Sequence, residues 1–287
     1  MENLKLIDTH AHVNFNDFKN DSNETIKRSL KDGIWVINVG AEKATSEMAV
    51  KMAEGYEEGV FAAVGLHPSH LMEQNVEYQE NGEPVKYKSN EEEFNYDFYL
   101  ELAKHEKVVA IGECGLDYFR VTDQNFKEKQ KEIFAKHIEL AKEVNKPLII
   151  HCRDARPPSL RSGVSGQAHD DLFKILHLEA KLSSGVMHFF TGTADQAKKY
   201  IDLGFYISFS GVITFAKEYE ETVRQIPLEK ILTETDCPYV APAPHRGKRN
   251  EPAYVKYVAQ KIAEIKGLSF DEVAEQTTKN ARELFGI

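Results

Sequence analysis

Asp8-Thr9-His10-Ala11-His12 is the first place in this chain where residue type and spacing suggest chemistry. Side chains at i and i+2 of a strand project to one face, with backbones about 6.6 Å apart. The imidazoles of His10 and His12 can therefore share a metal ion. Two half-buried core histidines would be spelled the same way, and the pair alone leaves both readings open. Four further residues of metal-binding type stand at the ends of short apolar runs: Glu113 closes VVAIGE, His151 closes PLIIH, His188 closes GVMH and Asp236 follows KILTET. Four imidazoles and two carboxylates are too many for one tetrahedral ion. They suit two divalent ions about 3.5–4 Å apart, bridged by a carboxylate and a water. Imidazole accepts Zn, Mn, Co or Ni and carboxylate accepts Mg, so Mg, Mn and Zn all stay open.

Such a set works only if the elements carrying it converge. Eight short apolar runs, Leu4–Asp8, Ile34–Val39, Val60–Gly65, Val108–Glu113, Pro147–His151, Gly185–Phe189, Phe205–Ser208 and Lys230–Thr235, read as strands. Helical patterns separate them at Asn23–Lys31, Ala44–Glu54, Phe94–His105, Asp123–Val144, Asp170–Leu178 and Ala194–Leu203. Eight strands alternating with helices predict an α/β fold, a TIM (β/α)8 barrel of one domain spanning 1–287. An open doubly wound sheet is the alternative, but no GxGxxG or GxxxxGK[ST] is present to give it a nucleotide crevice. In a barrel the carboxyl ends of all strands meet at one mouth, which places all six candidate ligands together. Additional C-terminal helices follow, one opening at Pro252 with Val255, Val258, Ala259, Ile262 and Ile265 on one face, the next starting at Phe270. Two stretches read as loop insertions: about 73–93, acidic and broken by Asn81-Gly82 and Pro84, and 155–168, rich in Pro, Ser and Gly.

Composition narrows the class. The chain has 287 residues with 41% hydrophobic and 29% charged, enough apolar content for a core. Its longest uncharged stretch, Leu203 to Ala216, is too short for the roughly 20 apolar residues of a membrane span. No basic head precedes an apolar run at the N-terminus, and three cysteines without CxxC spacing argue for a reducing, cytoplasmic setting. The net charge of −10 disfavours a nonspecific nucleic-acid binder at first sight. Between His70 and Glu101, however, nine acids face two lysines, a local −7 that leaves only −3 for the remainder. A phosphate substrate is therefore compatible, the more so where bound cations supply positive charge.

The motifs DTHAH, GLHP (Gly65–Pro68), GECGLDY (Gly112–Tyr118), HCRDA (His151–Ala155), MHFFTG (Met187–Gly192), ETDCPYVAP (Glu234–Pro242) and RGKRNEP (Arg246–Pro252) follow in that order over nearly the whole chain. In this series the chain resembles the TatD-type metal-dependent deoxyribonuclease family of the amidohydrolase-like barrel superfamily. The resemblance implies divalent-metal-dependent hydrolysis of DNA, commonly from the 3′ end. It implies that His10, His12, Glu113 and Asp236 hold one metal, and that Glu113 bridges to a second held by His151 and His188. Asp236 would also take the proton of the attacking water, making Asp236 and Glu113 the catalytic pair. Cys114 and Cys152 stand where the family usually has small or polar residues, and both insertions exceed the family pattern.

Substrate contacts are expected from residues beside the mouth: Arg153, two residues past His151; the basic loop with Arg246 and Arg249; and His67 and Tyr118, which follow strand ends. Glu234, two residues before Asp236, is expected behind the ligands. The leading expectation is a 3′–5′ exonuclease acting on DNA, with RNA open and with no membrane or obligate protein partner. The alternative keeps the metals and changes the bond: a deacylase, amidase or lactonase, on D-aminoacyl-tRNA for example. A third reading is a non-catalytic scaffold that binds through the acidic insertion.

Overall fold

The computed structural model describes residues 5–80, 83–89, 91–119, 121–155, 166–179 and 184–287, with backbone alone for 74–80 and 83–89. Eight strands form one sheet in the order β1 (Leu6–Ala11), β2 (Ile34–Val39), β3 (Val60–Val64), β6 (Val108–Asp117), β7 (Leu148–Arg153), β8 (Gly185–Met187), β9 (Tyr206–Phe209) and β10 (Ile231–Thr233). Adjacent strands in this order pair in parallel. All eight expected strands are present, and the TIM barrel expectation holds.

The sheet closes between its first and last strands. Asp236 N–H donates to the His10 carbonyl at 2.8 Å, and His12 N–H donates to the Cys237 carbonyl at 2.8 Å. The buried Asp8 carboxylate adds a side-chain staple, accepting from Thr235 N at 2.8 Å and Thr235 Oγ1 at 2.5 Å. Closure thus aligns the two chain segments that carry His10, His12 and Asp236.

Helices α1 (Ser22–Lys31), α2 (Lys43–Glu54), α3 (Tyr96–Ala103), α4 (Gln124–Val144), α5 (Gln167–Leu178), α6 (Ala194–Asp202) and the short α7 (Glu220–Gln225) connect the strands. Local chemistry fixes their ends. Asp123 caps α4 by accepting from Asn125 N, and Thr193 with Gln196 forms a reciprocal cap on α6. Pro252 opens a single 3-10 turn ahead of α8 (Val255–Lys266), whose apolar stripe is buried. The last helix, α9 (Phe270–Phe285), starts at a Ser269–Glu272 capping box and ends at left-handed Gly286.

Every strand contributes a side chain, Ile7, Ile37, Ala63, Val109, Ile149, Val186, Tyr206 and Leu232 among them, to a buried cluster with Leu284 and Phe285 of α9. Burying each large apolar side chain stabilises by about 1.5–3 kcal/mol. Asn280 of α9 donates to the Leu228 and Ile231 carbonyls at 2.8 Å, and Thr278 donates to Lys5 O. These contacts set α9 across the amino-terminal ends of the strands, opposite the mouth. The mouth end is left to chemistry. No helix among the described residues is long and apolar enough to cross a membrane.

The segment read as an irregular insertion at 73–93 contains an antiparallel hairpin, β4 (Gln74–Glu80) with β5 (Glu83–Ser89), apart from the barrel sheet. Of the second insertion, residues 156–165 lie outside the described residues.

Buried His137 on α4 ties the wall to the mouth. Its Nδ1 lies 2.8 Å from the Ile133 carbonyl, and its Nε2 accepts from Leu66 N at 3.0 Å, next to His67. One nitrogen must donate and the other accept, which only the neutral ring does. Burial pushes its pKa down to about 4 from an ordinary 6.5. Folding stability is therefore fully present above pH 6.5 and falls as pH drops towards 4, by on the order of 3 kcal/mol. His70, lowered to about 4 chiefly by burial, and His10 and His67, lowered chiefly by burial, add to this slope with the same sign, and His188, pushed up by Glu113 and Glu234, opposes it. Urea unfolding in EDTA between pH 7 and 4 should show a shallower slope for His137→Gln than for the parent. Equal slopes would exclude His137 as a cause.

Candidate metal centre

The carboxyl ends of five strands bring the six expected ligands into one cluster. His10 and His12 face the same side of β1 and its extension, Nε2 to Nε2 at 3.0 Å. Glu113 stands between two sets of imidazoles. Its Oε2 lies 3.4 Å from His10 Nε2 and 3.7 Å from His12 Nε2. Its Oε1 lies 2.9 Å from His151 Nδ1 and 2.8 Å from His188 Nε2. Asp236 closes the first set, with Oδ1 3.3 Å from His12 Nε2 and 3.7 Å from His10 Nε2. The rings of His10 and His188 stack at 3.9 Å, which joins the two sets.

Backbone geometry aims these groups. Register between β6 and β7 shifts between Ile111 and Cys114, where Glu113 turns inward. Gly115 has φ 140°, and a Cβ there would sit 2.0 Å from the His151 carbonyl, so a larger residue would force the two ligand-bearing strands apart. Asp236 itself is left-handed at φ 55°, uncommon for a non-glycine residue and held by its N–H bond to His10.

Outer partners fix which nitrogens face inward. His12 Nδ1 lies 2.9 Å from the Val39 carbonyl, so Nδ1 carries the proton and Nε2 turns a lone pair to the cluster. His151 Nε2 lies 3.2 Å from Asp117 Oδ2, leaving Nδ1 for Glu113. His188 Nδ1 lies 3.3 Å from buried Glu234 Oε1, which also accepts from Phe189 N at 2.7 Å. Inward nitrogens and carboxylate oxygens thus confront one another at under 4 Å, an arrangement that needs positive charge between them. Protons or metal ions can supply it.

The titration directions agree. Burial opposes the charge of Glu113, but His67, His188 and hydrogen bonds from His10 and His151 together hold its carboxyl well below the usual range. Burial likewise opposes the charge of His188, yet Glu113 and Glu234 push its pKa well up. His10 goes the other way, lowered to about 3 by burial and by neighbouring His188. This donor set fits divalent metal, which would displace the inner protons. Three overlapping groups of donors each lie within 4.8 Å: His10, His188 and Asp236; His10, His12 and Glu113; and Glu113, His151 and His188.

A fourth group, His67, Asp117 and His151, fails the same test. Ser69 N–H donates to His67 Nδ1 at 3.1 Å, so the His67 proton sits on Nε2, 3.3 Å from Glu113 Oε1. His67 is a hydrogen-bond donor aimed at the cluster, not a lone pair.

Asp117 was not singled out in the sequence, although GLDY contains it. The signal was parity: 113, 115 and 117 share a face if the strand continues, as β6 does. Asp8, the closing staple, was missed likewise. Asp117 orients His151, so Asp117→Asn should weaken metal binding about 10- to 100-fold. A competitive chelator titration would measure this, and unchanged affinity would leave the Asp117–His151 contact without consequence.

Two residues expected to contact substrate have other partners in the structure. Tyr118 is buried at 1% exposure with its hydroxyl donating to Asp171 at 3.0 Å, so it has no face to offer a base. Arg249 is engaged bidentately by Asp21 at 2.8 and 2.6 Å and covers the Phe18 ring, so it pins the loop to the barrel wall. Arg153 and Arg246 are exposed, the first over the Phe119 ring and the second over Phe215. None of the three cysteines is in a disulfide, Cys114 and Cys237 are buried, and no cysteine joins a donor group among the described residues.

Comparison with known proteins matches this chain, over residues 7–286, to the family described as TatD related DNase. An uncharacterized metal-dependent hydrolase of Bacillus subtilis (strain 168), YabD, is 42% identical over 98% of this chain and 99% of its own. The uncharacterized metal-dependent hydrolase YcfH of Escherichia coli (strain K12) is 35% identical over 98% of this chain and 96% of its own. Among solved structures, YjjV, a TatD homolog from Escherichia coli K12, superposes with a TM-score of 0.79 at 27% identity, covering 99% of this chain and 98% of that one.

Proposed function

We propose, from the premise that this chain belongs to the TatD-related DNase family of metal-dependent hydrolases, that it hydrolyses phosphodiester bonds of DNA at a two-metal centre. One observation carries the reading: Glu113 presents Oε2 to His10 and His12 and Oε1 to His151 and His188, the disposition of a carboxylate bridging two ions. His10, His12, Glu113 and Asp236 would hold one ion, and Glu113, His151 and His188 the other. When bound, divalent ions make water acidic enough to attack near neutral pH and offset charge on the leaving oxygen.

The protein's own groups supply the rest. Asp236 is the general base: its side chain is 15% exposed against 6% for Glu113, so it reaches the mouth while still touching His12. The proton it takes from water can return to the leaving oxygen. His67 Nε2–H and the exposed Arg153 guanidinium are donors beside the cluster, suited to phosphoryl oxygens. A small neutral amide or lactone would have less use for them, which favours a phosphate-bearing substrate.

The test is a 5′-labelled single-stranded oligonucleotide with Mg or Mn. A ladder shortening from the 3′ end, abolished by EDTA, supports a metal-dependent 3′–5′ exonuclease. Intact single- and double-stranded DNA with metals bound would overturn the reading. Release of free amino acid from D-aminoacyl-tRNA without chain cleavage would replace it with a deacylase.

A further inference from the structure

We propose that Phe215 and Arg246 form a nucleobase-stacking platform at the rim of the mouth. This deepens the nuclease reading and rests on it. Phe215 follows a 3-10 turn (Gly211–Thr214) in the loop after β9 and is 42% exposed. Among the described residues the other exposed large apolar side chains, Met48, Met72, Leu178 and Leu268, are not aromatic. The Arg246 guanidinium carbon lies 4.0 Å from the Phe215 ring centroid.

Phe215 stands in the loop after β9 and Arg246 in the loop that begins at Asp236, and a hydrogen bond joins the two loops. Ala243 N donates to Thr214 Oγ1 at 2.9 Å, and Thr214 Oγ1 donates to the Gly211 carbonyl at 2.7 Å. A Cβ on Gly211 would meet the Val240 carbonyl at 2.5 Å, so its absence lets the two loops touch. Arg246 Nη1 donates to the Ala241 carbonyl at 3.1 Å. The same loop passes His12, whose ring centre is 6.4 Å from that of Tyr239. Arg246 thus shares its loop with Asp236, and Phe215 is tied to that loop through Thr214.

Arg246 and Arg249 show the difference between a ligand-facing and a structural arginine. Arg249 is paired with Asp21 and Glu251, whereas no carboxylate among the described residues pairs with Arg246. A phosphate needs only the guanidinium and gains nothing from the exposed ring. A base can stack on the ring face that Arg246 leaves open, and such stacking tolerates any sequence.

The experiment compares parent, Phe215→Ala and Phe215→Trp on a single-stranded oligonucleotide and on the same strand with tetrahydrofuran abasic nucleotides at its 3′ end. The expected result is a KM for the base-bearing strand raised about 10-fold in Phe215→Ala. Expected with it are kcat changed far less, the preference over the abasic strand reduced towards one, and Phe215→Trp close to the parent. Two results would overturn the stacking role alone: cleavage by the parent with no change in Phe215→Ala, or an equal loss on both strands. A metal-loaded parent that cleaves neither strand overturns the nuclease reading and this inference together.

Discussion

Glu113→Gln is expected to abolish practical activity, lowering kcat/KM by on the order of 1000-fold or more, and to reduce bound metal. The glutamate offers one oxygen to each imidazole set, at 3.4 Å to His10 and 2.8 Å to His188. Glutamine removes the shared negative charge and gives one imidazole set an N–H where the glutamate offered an oxygen. Losing the ions forfeits several kcal/mol of charge stabilisation, and each 1.36 kcal/mol is tenfold in rate. Elemental analysis of metal content beside kinetics on a single-stranded oligonucleotide checks both parts. Full metal occupancy with activity within tenfold of the parent would remove Glu113 from the bridging role.

Asp236→Asn should separate chemistry from architecture. Asparagine tolerates the left-handed backbone that Asp236 adopts at φ 55°, and the N–H bond to the His10 carbonyl survives because it is backbone. The variant should therefore fold, keep the seam closed and retain metal at the His151 and His188 side. What it lacks is the carboxylate that takes a proton, so kcat should fall about 100- to 10,000-fold. Single-turnover rates with metal content measured on the same sample decide it. A variant that cuts at the parental rate would move the base elsewhere.

The six clustered donors were legible in the sequence because each stands where an apolar run stops, and barrel strands stop at a common mouth. The outer residues were harder to read. β6 runs on past Glu113 to Asp117, beyond the apolar run that marked it, so Asp117 lay outside the expected strand. The same parity explains Tyr118, one residue off the inward face and therefore buried in the wall. Arg249 was read as one of a basic group because its partner Asp21 is 228 positions away. The hairpin at 74–89 carries Asn81-Gly82, a strong two-residue turn signal, but its acidic composition and Pro84 pointed to an irregular loop. Order of elements follows from local pattern; which polar neighbours meet follows from closure.

That closure has a consequence for synthesis. Asp8 meets Thr235 across 227 positions, and the same seam sets His10 against Asp236. A nascent chain presents its first pair of histidines long before the carboxylate that completes them leaves the ribosome. A product arrested before β10 has β1 and β9 as open edges and an unfinished ligand set, both for the same reason. Arrested products thus combine weak ion retention with exposed strand edges open to aggregation and proteolytic clearance.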